Sequence, residues 1–392
     1  MIRFHQADPR LSAPFRLSLI AAACLTAQLA IAEETVDAAE AAEVVAENTQ
    51  VAAQGAVELP ALSVIDATRS NVTLKETPKA ITVIDQKQLD TTVTTGGIQQ
   101  MLTEVPGVDY ARTGGLGGQL VLRGFGSNSK RSLLTVDGER FRGRSTLEFN
   151  MFDPAMIERI EVIRGPASSV YGADAMNGVV NIVTRRADVD YDADFSLSAN
   201  IRSLEYNSVN NSFGGRAEAI GGGDGFDLLL GANYREGDDY ETPIGTAENS
   251  AFEAKSLDFK LGYKPSDHTR WELDMRSSET TTERAGGLGA SPGAPYKTVK
   301  EDPITEQYLK LSYEDTNYAE WADRFYASAY VRKLDTDIYV NGGAVHLKVD
   351  TPTVWGGRFA FNKALDSHHL SWGGDIFHEE FGGRYAVLPH RC

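Results

Sequence analysis

Residues 157–186 read IERIEVIRGPASSVYGADAMNGVVNIVTRR. Two β-branched runs, IERIEVIR (157–164) and GVVNIVTR (178–185), flank a Gly165-Pro166 turn and a tract of small residues. Each run is bounded by turn formers, which is the signature of a strand. Charges stand at both ends of the segment and inside its first run, at Glu158, Arg159, Glu161 and Arg164. So much buried-looking strand beside so much glycine and charge takes its meaning from the two flanking regions, which differ in texture.

Upstream, residues 65–186 read as a small mixed domain. Strands are expected at ITVID (81–85), LVLRG (120–124) and SLLTVDG (132–138), besides the two quoted runs. GGIQQMLTEVPG (96–107) predicts a short helix stopped by Pro106-Gly107. Glycines recur through the region and permit tight turns and close backbone approach. GGLGG (114–118) is no dinucleotide fingerprint, because no βαβ unit follows it at the required spacing.

Downstream of residue 190 strand after strand alternates. In FDLLLGANY (226–234), Phe226, Leu228, Leu230, Ala232 and Tyr234 share one face, opposite Asp227, Leu229, Gly231 and Asn233. SLDFKLGYK (256–264), RWELDMR (270–276), YLKLSYE (308–314) and RFYASAYVRK (324–333) repeat the pattern. A period of two gives each strand one apolar and one polar face. Runs of this length with aromatic ends fit transmembrane strands of about 9–11 residues, apolar outward and polar inward. Tyr234, Tyr263, Trp271, Tyr313 and Tyr330 are read as girdle aromatics. The connection 277–305 is read as an extracellular loop and KPSDHT (264–269) as a periplasmic turn. A closed barrel satisfies every strand edge, which an open sheet in lipid does not.

The chain has 392 residues, 38 basic and 55 acidic, for a net charge of −17. That balance repels a phosphate backbone and argues against nucleic acid as a partner. Arg3, Arg10 and Arg16 precede an apolar run, LSLIAAACLTAQLAIA (17–32), that ends in a small-x-small triplet, so 1–32 reads as a secretory signal peptide. Cys24 leaves with the signal, so the mature chain, whose remaining cysteine is Cys392, forms no intrachain disulfide. Residues 33–57 read as a flexible Ala/Glu-rich tether. No G-x-S-x-G, H-E-x-x-H, Walker or CxxC motif occurs, so no catalytic residue and no metal site is assigned and an enzyme is not expected.

The quoted segment resembles the most characteristic plug segment of the TonB-dependent outer-membrane receptor family. TLKETPKAITVID (73–85), LTEVPGVDY (102–110), LVLRGFG (120–126) and LLTVDGERF (133–141) resemble the preceding plug boxes, in family order. ELPALSV, residues Glu58, Leu59, Pro60, Ala61, Leu62, Ser63 and Val64, resembles the TonB box that the inner-membrane energy-coupling protein engages. The resemblance implies a mixed α/β plug domain (65–186) inside a transmembrane antiparallel β-barrel of about 22 strands. Plug strands then face a polar lumen, where Arg123, Arg159, Arg164, Glu158 and Glu161 pair with each other or with the wall. Arg123, Gly124, Asp137, Gly138, Arg164, Gly165, Pro166, Tyr171, Gly172, Asn177 and Gly178 are the expected structural or gating positions, with the fold role ahead of ligand contact.

About nine or ten strands are expected in 187–392, short of that barrel. The chain therefore reads as an amino-terminal portion of a receptor that does not transport alone. The function implied is active, TonB-coupled import in the outer membrane, by a receptor that is monomeric at full length. Segments 332–339 and 356–381 look similar to the haem/haemoglobin receptor branch. Haem or haemoprotein-derived haem is the first expected cargo, with no cofactor bound permanently. A ferric siderophore, cobalamin or another solute are alternatives. His368, His369 and His378 are the weak ligand candidates, since histidine is a common haem-iron ligand. Rival classes are an exported binding or adhesion module and an exported enzyme on a β-sandwich.

Overall fold

The computed structural model describes residues 80–91, 97–112, 114–116, 118–126, 131–141, 151–243, 245–286, 297–340, 345–350, 353–366, 368–379 and 384–387. The signal, tether and TonB-box readings fall on residues outside this set.

Residues 80–184 form the small domain, with strands β1 (Ala80–Ile84), β2 (Val108–Arg112), β3 (Gly118–Leu122), β4 (Phe125–Gly126), β5 (Ser132–Val136), β6 (Glu139–Phe141), β7 (Ile157–Arg164) and β8 (Gly178–Thr184). Its helices are α1 (Gln86–Thr91), α2 (Gln99–Leu102) and α3 (Ser168–Tyr171). One sheet runs β1-β7-β8-β5-β6, with β5 parallel to β8 and the other pairs antiparallel. A second sheet runs β2-β3-β4. The quoted segment is thus a β7–β8 pair joined through α3, with all seven residues of β8 buried. Ile157, Ile160, Val162, Val180 and Ile182 face a core that also takes Met101, Leu102, Leu122, Phe141 and Phe152. On the opposite side Leu133, Ile163, Tyr171 and Val179 form a second cluster. The helix expected over 96–107 contracts to α2, because Thr103 onward is turn and Gly107 takes a φ of 80°.

Two hairpins show why the Asp-Gly and Arg-Gly pairs sit where they do. Asp137 and Gly138 have φ of 49° and 77°, and Arg123 and Gly124 have 50° and 80°. Positive φ at both central residues is the two-residue turn whose twist matches flanking antiparallel strands. Val136 pairs with Glu139 across the first, and Leu122 with Phe125 across the second.

From Ser196 the chain becomes an antiparallel meander: β9 (Ser196–Asn207), β10 (Ser212–Gly223), β11 (Phe226–Gly237), β14 (Phe252–Ser266), β15 (Thr269–Gly286), β16 (Lys297–Asp315), β17 (Arg324–Val340), β19 (Val354–Leu365) and β20 (His368–Glu379). A small hairpin, β12 (Tyr240–Thr242) and β13 (Gly245–Ala247), stands off the β11–β14 connection. β18 (Val345–Asp350) pairs with β17 and with β21 (Arg384–Val387). Among the described residues this eleven-stranded sheet is not closed; β9 and β20 end the meander path.

The alternation is realised with its apolar side outward. In β15, Trp271 and Met275 are 44% and 45% exposed, whereas Glu272, Asp274 and Arg276 are 2%, 0% and 6% exposed. No water-soluble sheet places its leucines and tryptophans outside and its ions inside, so the outer side requires an apolar solvent. Outer aromatics gather at the short-turn end. Phe226 stacks on Tyr263 at 4.6 Å, Trp271 lies 4.7 Å from Tyr313, and Phe325 lies 4.8 Å from Phe361.

Three expectations are corrected. Tyr330 is no girdle residue: it is 8% exposed, faces inward and packs on Tyr308 at 6.3 Å, because the alternation in RFYASAYVRK puts Phe325 and Val331 outside. Most of the supposed loop 277–305 is strand, since β15 runs to Gly286 and β16 starts at Lys297. Pairing there continues past the apolar band with polar outer residues, such as Lys300 against Glu283 at 3.6 Å, so hydrophobic alternation does not mark it. The turn read as 264–269 is narrower, with β14 ending at Ser266 and β15 beginning at Thr269.

Candidate functional site: the seat of the Asp137 turn

The β5–β6 turn projects against the inner face of the large sheet, and its local geometry builds the site. The Asp137 backbone N–H donates to the Ile182 carbonyl at 2.8 Å. The Asp137 carboxylate accepts the Thr184 backbone N–H at 2.8 Å and the Thr184 hydroxyl at 2.6 Å. From the wall, Arg276 approaches it at 3.3 Å and Lys260 at 3.5 Å. Burial alone would push this carboxyl up, but Lys260, Lys310 and Arg276, with the Thr184 hydroxyl, hold it well below the ordinary carboxylate range. Arg358 on β19 donates to the Gly138 carbonyl at 2.8 Å, and Ser328 on β17 donates to Glu139 at 2.6 Å.

A polar chain runs from this turn through the small domain. The Asn181 side-chain oxygen accepts from the Gly138 N–H at 3.1 Å and the Thr135 hydroxyl at 2.7 Å. Its amide donates to Glu161 at 3.0 Å, and Glu161 accepts from Arg159 at 2.8 Å. Arg159 also bonds Glu158 at 2.6 Å. Glu161 and Asn181 are fully buried, so every link is needed to satisfy them. Glu158, Arg159 and Glu161 therefore pair among themselves.

The end of β8 supplies further contacts. Arg185 bonds Glu218, and Arg186 reaches Glu272 at 2.6 Å. Lys260 donates to the Thr184 carbonyl at 3.2 Å. These positions, with Glu139, Lys260, Arg276, Lys310 and Arg358, were not singled out from sequence. Those on the wall strands are signalled only by the inward charge of those strands.

The remaining expected positions have structural placements. Arg123 donates to the Arg164 carbonyl at 3.0 Å, and Arg164 donates to the Pro106 carbonyl at 3.2 Å. Gly165 donates to the Asn177 carbonyl at 2.9 Å, closing the loop that carries exposed Pro166 and α3. Gly172 ends α3 at φ 83°, and Tyr171 is buried in the second core cluster. At Gly178 a Cβ would lie 2.2 Å from the Ile163 carbonyl oxygen, so β7 and β8 approach closely only because this residue is glycine. His368 and His369 begin β20, and His378 lies near its other end, stacked on exposed Trp355 at 5.4 Å. About 30 Å of strand separates them, so the three do not form one site. His346, not singled out either, bonds Asp337 at 3.1 Å and stacks on Tyr339 at 4.4 Å.

Residues 73–179 match the family model described as TonB-dependent Receptor Plug Domain. These residues are a plug domain of the TonB-dependent receptor family. It is 30% identical over 227 residues to the vitamin B12 transporter BtuB of Vibrio vulnificus, covering 57% of this chain and 36% of that protein. It is 28% identical over 294 residues to the iron-regulated outer membrane virulence protein of Vibrio cholerae, covering 71% and 43%. The structure of the copper transporter OprC superposes with a TM-score of 0.64 at 22% identity, covering 76% of this chain and 45% of that one. The receptor chain thus spans less than half the length of these curated relatives. Its small domain is the plug, and the Asp137 turn is where the plug meets the receptor wall.

Proposed function

We propose that the full-length receptor imports a scarce, large, iron-bearing solute across the outer membrane, coupled to TonB through residues 58–64. The observation that carries this reading is the two-faced wall: apolar on its outer side, ionic toward the plug. Such a plug must rearrange for cargo to pass, with the work supplied from the inner membrane. No covalent step is required. The cargo is haem, taken free or from a haemoprotein, and iron is transported rather than resident; the similarity of 332–339 and 356–381 to the haem branch supports this. Cobalamin is the second reading, favoured by the similarity to the B12 transporter.

The test is growth of receptor-deficient, iron-limited cells that carry the full-length gene. Haem or haemoglobin is expected to restore growth, and removal of residues 58–64 to abolish it while surface binding persists. Growth on a ferric siderophore but not on haem overturns the haem assignment. Rescue of a cobalamin requirement alone moves the cargo to the second reading.

A further inference from the structure

The wall beneath the Asp137 turn carries more cations than carboxylates, apart from what the plug brings to it. Lys260, Arg276, Lys310 and Arg358 all point inward and are 3%, 6%, 1% and 8% exposed. Lys260 and Lys310 flank Asp274 in one cross-strand row, and Arg276 lies on the same strand as Asp274. Asp274 and Glu306 are the wall carboxylates among them, both acting on Arg276; Glu272 is already bonded by Arg270 and by Arg186. The remaining anions at this place are Asp137 and Glu139, both carried on the plug turn. Buried cations at this density are tolerated only with carboxylates at hand.

Two side chains show that the patch has donors to spare. Arg276 Nε and Nη2 and the Tyr308 hydroxyl are buried and have no hydrogen-bond partner. Arg276 lies over the Tyr308 ring at 4.0 Å, so these donors belong to one place on the wall. The unpartnered buried acceptors beside them, Asp274 Oδ1 and Glu306 Oε1, are fewer than these three donors.

We infer that Lys260, Arg276, Lys310 and Arg358 form an anion-binding patch on the channel wall, occupied by Asp137 and Glu139 while the plug is seated and met by an anionic cargo once the turn withdraws. The plug carboxylates act as stand-ins for the cargo's own carboxylates or other oxyanions. The inference rests on the import reading and adds the charge class of what passes. It also assigns the patch a role in specificity along the path, distinct from first capture at the outer surface.

The test uses full-length receptor in planar bilayers, with the plug reversibly loosened by urea and no cargo or TonB present. Potassium chloride across a gradient is the probe, and the reversal potential is read. The open channel is expected to prefer chloride severalfold. Lys260→Gln with Lys310→Gln removes two of the cations but leaves Asp137 with fewer partners, so Asp137→Asn is combined with both to keep the seat neutral and the plug folded. This triple variant is expected to lose most of the chloride preference. A wild-type channel that is cation-selective or unselective overturns the inference. So does a triple variant with unchanged selectivity, or a receptor that loosens without conducting. Failure of the growth experiment above, with chloride selectivity intact, would remove the import reading and leave the patch.

Discussion

The carboxylate of Asp137 caps the end of β8 through Thr184, accepting its backbone N–H at 2.8 Å and its hydroxyl at 2.6 Å. The same oxygen that takes the hydroxyl faces Arg276 at 3.3 Å. One side chain thus ties the plug turn, the last plug strand and the wall. Asp137→Ala removes all three ties and leaves Lys260 and Arg276 buried with less compensation. Breaking one side of a buried ion pair costs about 3–5 kcal/mol. Thermal unfolding and limited proteolysis of the full-length receptor in detergent should show a plug released well before the wall.

Protonation of Asp137 should act the same way. Its folded value lies below the ordinary 3.8, so the contribution is fully present above that pH and is lost as pH falls below it. Plug protection from protease is expected to stay level from neutral pH to about pH 4 and to decline below it. The Asp137→Asn variant should lack that acid-dependent step.

At Asn181 two substitutions separate the roles of the amide. Asn181→Ala strips partners from Glu161, Thr135 and Gly138, at about 1–3 kcal/mol for each buried group left unsatisfied. Asn181→Asp keeps the acceptor for Thr135 and Gly138 but sets a second carboxylate against buried Glu161. At neutral pH the Asp variant should be the less stable of the two, and acidification should bring it back toward the Ala variant. Denaturation midpoints at two pH values read this directly.

Gly178→Ala is expected to be far worse than Gly124→Ala. Both glycines have positive φ, 153° and 80°, so both substitutions strain the backbone. At Gly178 the added carbon also meets a carbonyl oxygen at 2.2 Å, while at Gly124 nothing lies within 4 Å. Strain alone costs on the order of 1–2 kcal/mol. The Gly178 variant must also part β7 from β8, and comparing the two melting curves isolates that difference.

Much of this was legible in the chain. The run 157–164 reads as a strand from its composition and is β7 to the residue. The outward and inward sets of FDLLLGANY follow from period two. Tyr330 shows the limit: a tyrosine fits either face, and only the register, which sets it opposite inward Lys310, fixes which. The extensions of β15 and β16 were invisible because polar residues pair as well as apolar ones once the strand leaves lipid. The Asp137 seat was half legible. Its turn chemistry is written in Asp-Gly, but its partners Arg276 and Arg358 lie more than a hundred residues away and look like any other inward charge. The histidines show the converse, because residue type suggested a site that strand geometry spreads along β20.

The account depends on which side of the wall meets lipid, and consecutive cysteines along β16 test it most directly. Single cysteines at positions 308 to 313, in full-length receptor with Cys392 replaced, would carry a fluorophore in membranes containing a lipid-phase quencher. Positions of Leu309, Leu311 and Tyr313 should be quenched, and those of Tyr308, Lys310 and Ser312 should not. Uniform quenching at all six, or the inverted pattern, would contradict a wall that is greasy outside and ionic around its plug.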